Sequence, residues 1–166
     1  MMDRREEEKP VKQMKKSILL LLLLLALLLS GCGFPDDDVS KERIVAYVTE
    51  NQDKLSAYVR DMPEDAAGQE ALFRERFGRR TIVKSVYLYQ DGILEFYCGG
   101  TGLSTNSTDS GFYWSENDTP FTFEFQAEDR LEETEPGVLY WNSRHGEEIW
   151  TERILPGWFW YHIVWY

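Results

Sequence analysis

The residues able to do chemistry are few. Cys98, His145 and His162 are the only thiol and imidazole groups after residue 32, and they are scattered. A thiol nucleophile with an imidazole base would require the fold to bring Cys98 to His162. No motif surrounds either residue, so His162 is expected to be a half-buried strand residue hydrogen-bonded to a neighbour. Zinc takes three or four Cys or His ligands, and the scattered set does not supply them at a recognisable spacing. The acidic stretch Glu128, Asp129, Glu132, Glu133 and Glu135 has charge enough for calcium but lacks the alternating spacing and the glycine of a calcium loop. It reads as a solvated loop. Gly99 to Gly111 is rich in Gly, Ser and Thr, yet it has no lysine and no following helix to cradle a phosphate, and reads as a flexible surface loop. No catalytic residue, metal or cofactor is expected.

Cys32 is a different case. Met14-Lys15-Lys16-Ser17 opens a short basic region, Ile18 to Leu29 is an almost pure leucine run, and Ser30-Gly31-Cys32 follows at once. Basic, apolar and small is the order of an export signal. Twelve apolar residues fall short of the roughly 20 that span a bilayer as a helix. Residues 1–13 fit this pattern poorly, because Asp3, Glu6, Glu7 and Glu8 place acid where export requires base, so Met14 is the expected translation start.

Leu29-Ser30-Gly31-Cys32 resembles the lipobox of bacterial lipoprotein precursors. The resemblance covers residues 14–32 and implies diacylglycerol on the Cys32 thiol and cleavage between Gly31 and Cys32. It further implies a protein held by lipid on the extracytoplasmic face of the cell membrane. Gly33 to Asp38 then reads as a short solvated linker, with residues 1–31 as the signal peptide, 32–39 as the lipidated tether and 40–166 as one α+β domain.

After cleavage, 135 residues would remain, enough for a core without disulfides. They carry 12 Lys and Arg against 25 Asp and Glu, a charge of −13. Such a balance argues against nucleic acid as a partner and against adsorption to anionic lipid, since both demand a basic surface. With Cys32 lipidated, Cys98 has no partner within the chain and is expected to be a small buried apolar residue.

The elements that position these residues follow from periodicity. Ile44, Val48, Asn51, Leu55, Val59 and Met62 recur three or four apart, predicting one helix that Ser40 or Asp38 caps and Pro63 stops. A second helix is expected from about Asp65 to Phe77, closed by Gly78, with Leu72, Phe73 and Phe77 facing the core. Alternation then predicts strands over 81–89, 93–98, 112–115, 121–126, 138–142, 148–154 and 158–166. Asp91-Gly92 predicts a two-residue hairpin in which Tyr89 faces Leu94, Tyr87 faces Phe96 and Ser85 faces Cys98. The expected class is α+β, with one or two N-terminal helices packed on an antiparallel meander of six to seven strands.

The segment 158–166 is apolar or aromatic on both faces, which predicts a central strand. An alternative is that Trp158 and Trp160, with Trp114, Trp141 or Trp150 near them, form a platform for a sugar or another partner. The run Tyr87 to Gly100, the pair Gly111 to Phe125 and the Trp-rich C-terminus resemble small lipoproteins of Gram-positive bacteria for which no activity is established. The sequence therefore points to a non-enzymatic module for an envelope protein or glycan. A hydrolase with an unrecognised site and an inhibitory or structural envelope protein are the competing classes.

Overall fold

A computed structural model describes residues 39–89, 92–102, 106–123, 131–142 and 146–166. The Gly31-Cys32 cleavage site, the tether to Asp38, the Asp91 turn position, the acids Glu128 and Asp129, and His145 lie outside the described residues.

Among the described residues three helices come first: α1 (Lys41–Glu50), α2 (Gln52–Asp61) and α3 (Ala66–Phe77). The single helix expected over 40–62 is thus two, and the polar residue in its apolar stripe is the reason. Asn51 adopts φ −110°, ψ 15°, and its Nδ2 donates to the Tyr47 carbonyl at 2.8 Å. The amide competes for a helical acceptor and ends the run. The break shifts the phase of the stripe, so Tyr58 rather than Val59 joins Ile44, Val48 and Leu55 at zero exposure. Ser40 caps α1 by accepting from the Arg43 N–H. Asp65 caps α3 through the Gly68 N–H at 2.8 Å, and Gly78 closes it at φ 76°. Gly68 inside the helix has a local cause: a Cβ there would lie 2.8 Å from Asp65 Oδ2 and 3.0 Å from Pro63 Cβ.

Seven strands follow among the described residues: β1 (Ser85–Leu88), β2 (Ile93–Thr101), β3 (Ser107–Ser115), β4 (Glu132–Glu135), β5 (Val138–Asn142), β6 (Glu147–Leu155) and β7 (Trp158–Trp165). They form one antiparallel sheet in the order β1-β2-β3-β7-β6-β5-β4. The expected meander is corrected by this order. Two up-and-down runs, β1 to β3 and β4 to β7, join through β3 and β7, which places the last strand in the middle. Its sequence, apolar on both faces, suits only an interior position.

Both faces of the sheet are packed. On the first, Leu94, Phe96, Cys98, Phe112 and Trp158 meet Ile44, Val48, Leu55, Tyr58 and Phe73 from the helices. On the second, Ile93, Tyr113, Trp141, Ile149, Phe159, Tyr161 and Ile163 pack together with Phe121. The strand expected over 121–126 is absent from its described part. Residues 121–123 instead run over the second face, with the Phe121 N–H donating to the Tyr113 hydroxyl at 2.8 Å and the Phe123 ring 4.5 Å from Tyr161. Phe123 at φ 59° breaks the extended chain.

Three further expectations are corrected. The β1–β2 register pairs Val86 with Phe96 and Tyr87 with Glu95, one residue away from the two-residue turn. Tyr89 N–H donates to the Ile93 carbonyl and Gly92 sits at φ 72°, as in a three-residue turn closed by a left-handed glycine. Val86 consequently packs towards the helices and Tyr87 is left exposed; Leu88, on the face of Val86 at the strand end, is exposed as well. Most of Gly99 to Gly111 is strand rather than loop, since β2 and β3 continue to a Thr101–Thr108 pair. β3 is flanked on both sides, so main-chain bonds hold it without large side chains. Finally, Glu132–Glu135 is strand β4, an exposed edge whose carboxylates discourage pairing with another chain.

Cys98 is fully buried beside a bulge at Gly99, and burial pushes its thiol well above the ordinary value. A maleimide probe should label Cys98 only after denaturation; labelling of the native protein at the rate of a free thiol would contradict this packing.

Candidate functional site

Alternation along the central strands sets one row of rings on the helix-covered face. β7 contributes Trp160 and His162, β6 contributes Trp150 opposite His162, and β5 contributes Tyr140 opposite Trp150. The Trp160 and His162 rings are parallel within 1° at 6.2 Å, Trp150 lies 5.8 Å from His162, and Tyr140 lies 5.2 Å from Trp150. All four are half-buried. α1 contacts β3, β6 and β7, so the row begins beside that helix and runs outward to β5.

Polar groups border the rings. Lys41, the first residue of α1, pairs with Glu152 and places its ammonium 4.8 Å from the centroid of Trp160. At the other end, Asn142 Nδ2 donates to the Tyr140 hydroxyl at 3.0 Å and to Glu148 Oε1 at 3.3 Å. The Tyr166 hydroxyl donates to Glu148 Oε2 at 3.2 Å. Flat rings edged by carboxylate, amide and hydroxyl can stack on an apolar ring face while hydrogen-bonding its substituents.

The tryptophans singled out in the sequence separate here. Trp158 is 2% exposed between Phe96 and Phe112, so it belongs to the core and offers no surface to a ligand. Trp114 is half-buried against the same core, and Trp141 is buried on the opposite face. Trp160 is half-buried against the Trp158 core too and anchors the inner end of the row, which leaves Trp150 as the platform residue. Tyr140 went unnoticed in the sequence because its place in the row depends on the β5–β6 register.

Cys98 and His162 have different neighbours. The Cys98 sulfur lies 3.6 Å from the Phe96 carbonyl, whereas His162 Nδ1 lies 2.8 Å from Ser110 Oγ. Ser110 is 2% exposed, which keeps a substrate carbonyl from its hydroxyl. The contact therefore orients the imidazole within the row. Among the described residues, no three Cys, His, Asp or Glu side chains are placed to hold a metal ion.

The second face holds a carboxyl group, Glu95, at 7% exposure. Its oxygens accept from the Tyr161 hydroxyl and, at 2.8 Å, from the Tyr89 hydroxyl. Tyr161 reaches it by lying over Gly111, where a Cβ would come within 2.7 Å of the ring. Burial raises the Glu95 pKa, and the two tyrosine bonds offset that only in part. A carboxyl held above its unfolded value stabilises the fold fully below the ordinary carboxylate range, and the contribution is lost as pH rises through the raised value. Glu95→Gln should accordingly gain stability relative to wild type as pH increases, measured as the difference in urea midpoint from acid to neutral pH. Parallel pH profiles for the two proteins would contradict the assignment.

No family model, curated protein or solved structure matches the chain. Among the described residues no helix is long and apolar enough to cross a membrane.

Proposed function

We propose that the chain is a lipid-anchored extracytoplasmic lipoprotein of α+β class whose mature domain is a non-enzymatic binding module. Leu29-Ser30-Gly31-Cys32 supports the anchor, since only this cysteine follows an export signal with the spacing of a lipobox. Two or three acyl chains on one residue form a durable attachment, whereas a single chain binds only marginally.

The observation that carries the binding role is the row Trp160, His162, Trp150 and Tyr140. Aromatic side chains in a monomeric domain are ordinarily absorbed by its core, as Trp158 and Phe112 are here. This row instead leaves the helix cover with polar groups at its border, the pattern of a contact face for an envelope glycan or protein. The burial of Ser110 and of Cys98 favours binding over hydrolysis.

Trp150→Ala should weaken retention of the cognate envelope component by about 2 kcal/mol, the scale of a central aromatic contact. Immobilised wild type, Trp150→Ala and the surface control Tyr87→Ala would be exposed to solubilised envelope fractions. Loss confined to the Trp150 variant is expected, and equal retention by all three would remove the row as the contact face.

A further inference from the structure

The strand β6 sets Glu148, Trp150 and Glu152 at alternate positions on one face, so a carboxylate stands on each side of the indole. On the Glu152 side the protein supplies its own cation. Lys41 is paired with Glu152 and lies over the Trp160 ring, an ammonium held between a carboxylate and an aromatic face. On the Glu148 side the carboxylate is met, among the described residues, by Asn142 and the Tyr166 hydroxyl, both uncharged. The Lys41 arrangement thus displays the chemistry for which the Glu148 side is also equipped: an aromatic surface beside an acid.

From this symmetry we infer that the row binds a glycan bearing free amino groups, with sugar rings stacked on Trp150 and Tyr140 and an ammonium at Glu148. The inference rests on the reading of the row as a binding face and adds the class of ligand. Shape favours a chain of sugars over a lone quaternary ammonium. The ring centres step across three adjacent strands at 6.2, 5.8 and 5.2 Å, with neighbouring planes at 1°, 40° and 44°, an extended row rather than a cage around one point. Successive pyranose rings present flat C–H faces at comparable intervals. Charge excludes the polyanionic glycans, because residues 32–166 carry −13 and the row is bordered by carboxylates.

The test titrates the full-length protein in detergent with two probes, a glucosamine hexamer and the matching N-acetylglucosamine hexamer, followed by tryptophan fluorescence and calorimetry. The amino hexamer should bind more tightly by about tenfold and lose that margin in Glu148→Gln and at high salt. Trp150→Ala should abolish binding of both probes, and Glu148→Gln, a surface change, guards against an unfolded variant. Equal binding of the two hexamers, indifferent to Glu148, would overturn the amino-sugar assignment while leaving the row a glycan site. Failure of both hexamers, with envelope material still retained through Trp150, would overturn the ligand class and leave the binding face standing.

Discussion

Replacing Cys32 with serine should yield protein that takes up no labelled fatty acid and either accumulates as precursor or leaves the membrane. The acyl chains would supply nearly all the membrane affinity, at about 0.8 kcal/mol for each buried methylene. The domain cannot compensate: residues 32–166 carry −13, and anionic lipid repels such a surface. No described helix offers an alternative span. Wild-type protein should partition into detergent and carry the label, so metabolic labelling followed by phase separation decides the matter. Label persisting in the serine variant would refute the assignment of Cys32.

The largest loss of stability should come from Phe96→Ala, at about 3–5 kcal/mol. Phe96 is fully buried where the sheet meets the helices. Its ring stacks on Phe112 at 4.7 Å, with Phe73 at 5.7 Å, Trp158 at 5.8 Å and Tyr58 at 5.9 Å. Truncation therefore leaves a cavity lined from α2, α3, β2, β3 and β7 at once. Tyr87→Ala, on an exposed ring at 52% of its full accessibility, should shift stability by no more than about 0.5 kcal/mol. Denaturant midpoints for the two variants measure both numbers. A Phe96 loss no larger than the Tyr87 loss would mean that the two-faced packing is wrong.

Local signals proved readable where one residue type has one dominant conformational use. The cap at Ser40, the helix from about Asp65 closed by Gly78, the strand 138–142 and the central placement of 158–166 all follow from sequence patterns. The helix over 40–62 failed at Asn51, because an amide in an apolar stripe can either turn to solvent or take a backbone acceptor, and periodicity does not distinguish these. The hairpin failed by one residue for a similar reason. Asp-Gly serves turns of two and of three residues, and choosing between them decides which face every β1 side chain joins.

The candidate site was legible only in part. Trp158 and Trp160 are equivalent in the sequence, two residues apart on one face of one strand. Phe96 and Phe112 enclose the first, while the second borders Lys41 and His162. Tyr140, Glu148 and Glu95 gain their settings from partners on other strands, and nothing in the residues flanking them announces those partners.

What the sequence determines by itself is what short-range chemistry dictates: a basic stretch and a leucine run that end at Cys32, an acidic domain, helices before strands, and a last strand too apolar for an edge. The tertiary structure alone decides that β7 enters between β3 and β6, that residues 121–123 cross the second face, and which tryptophans stay at the surface. Those outcomes depend on strand register and on competition among many aromatic side chains for two packed faces. A shift of one residue exchanges the faces, so the free energy that selects them belongs to the assembled sheet and to no segment of the chain.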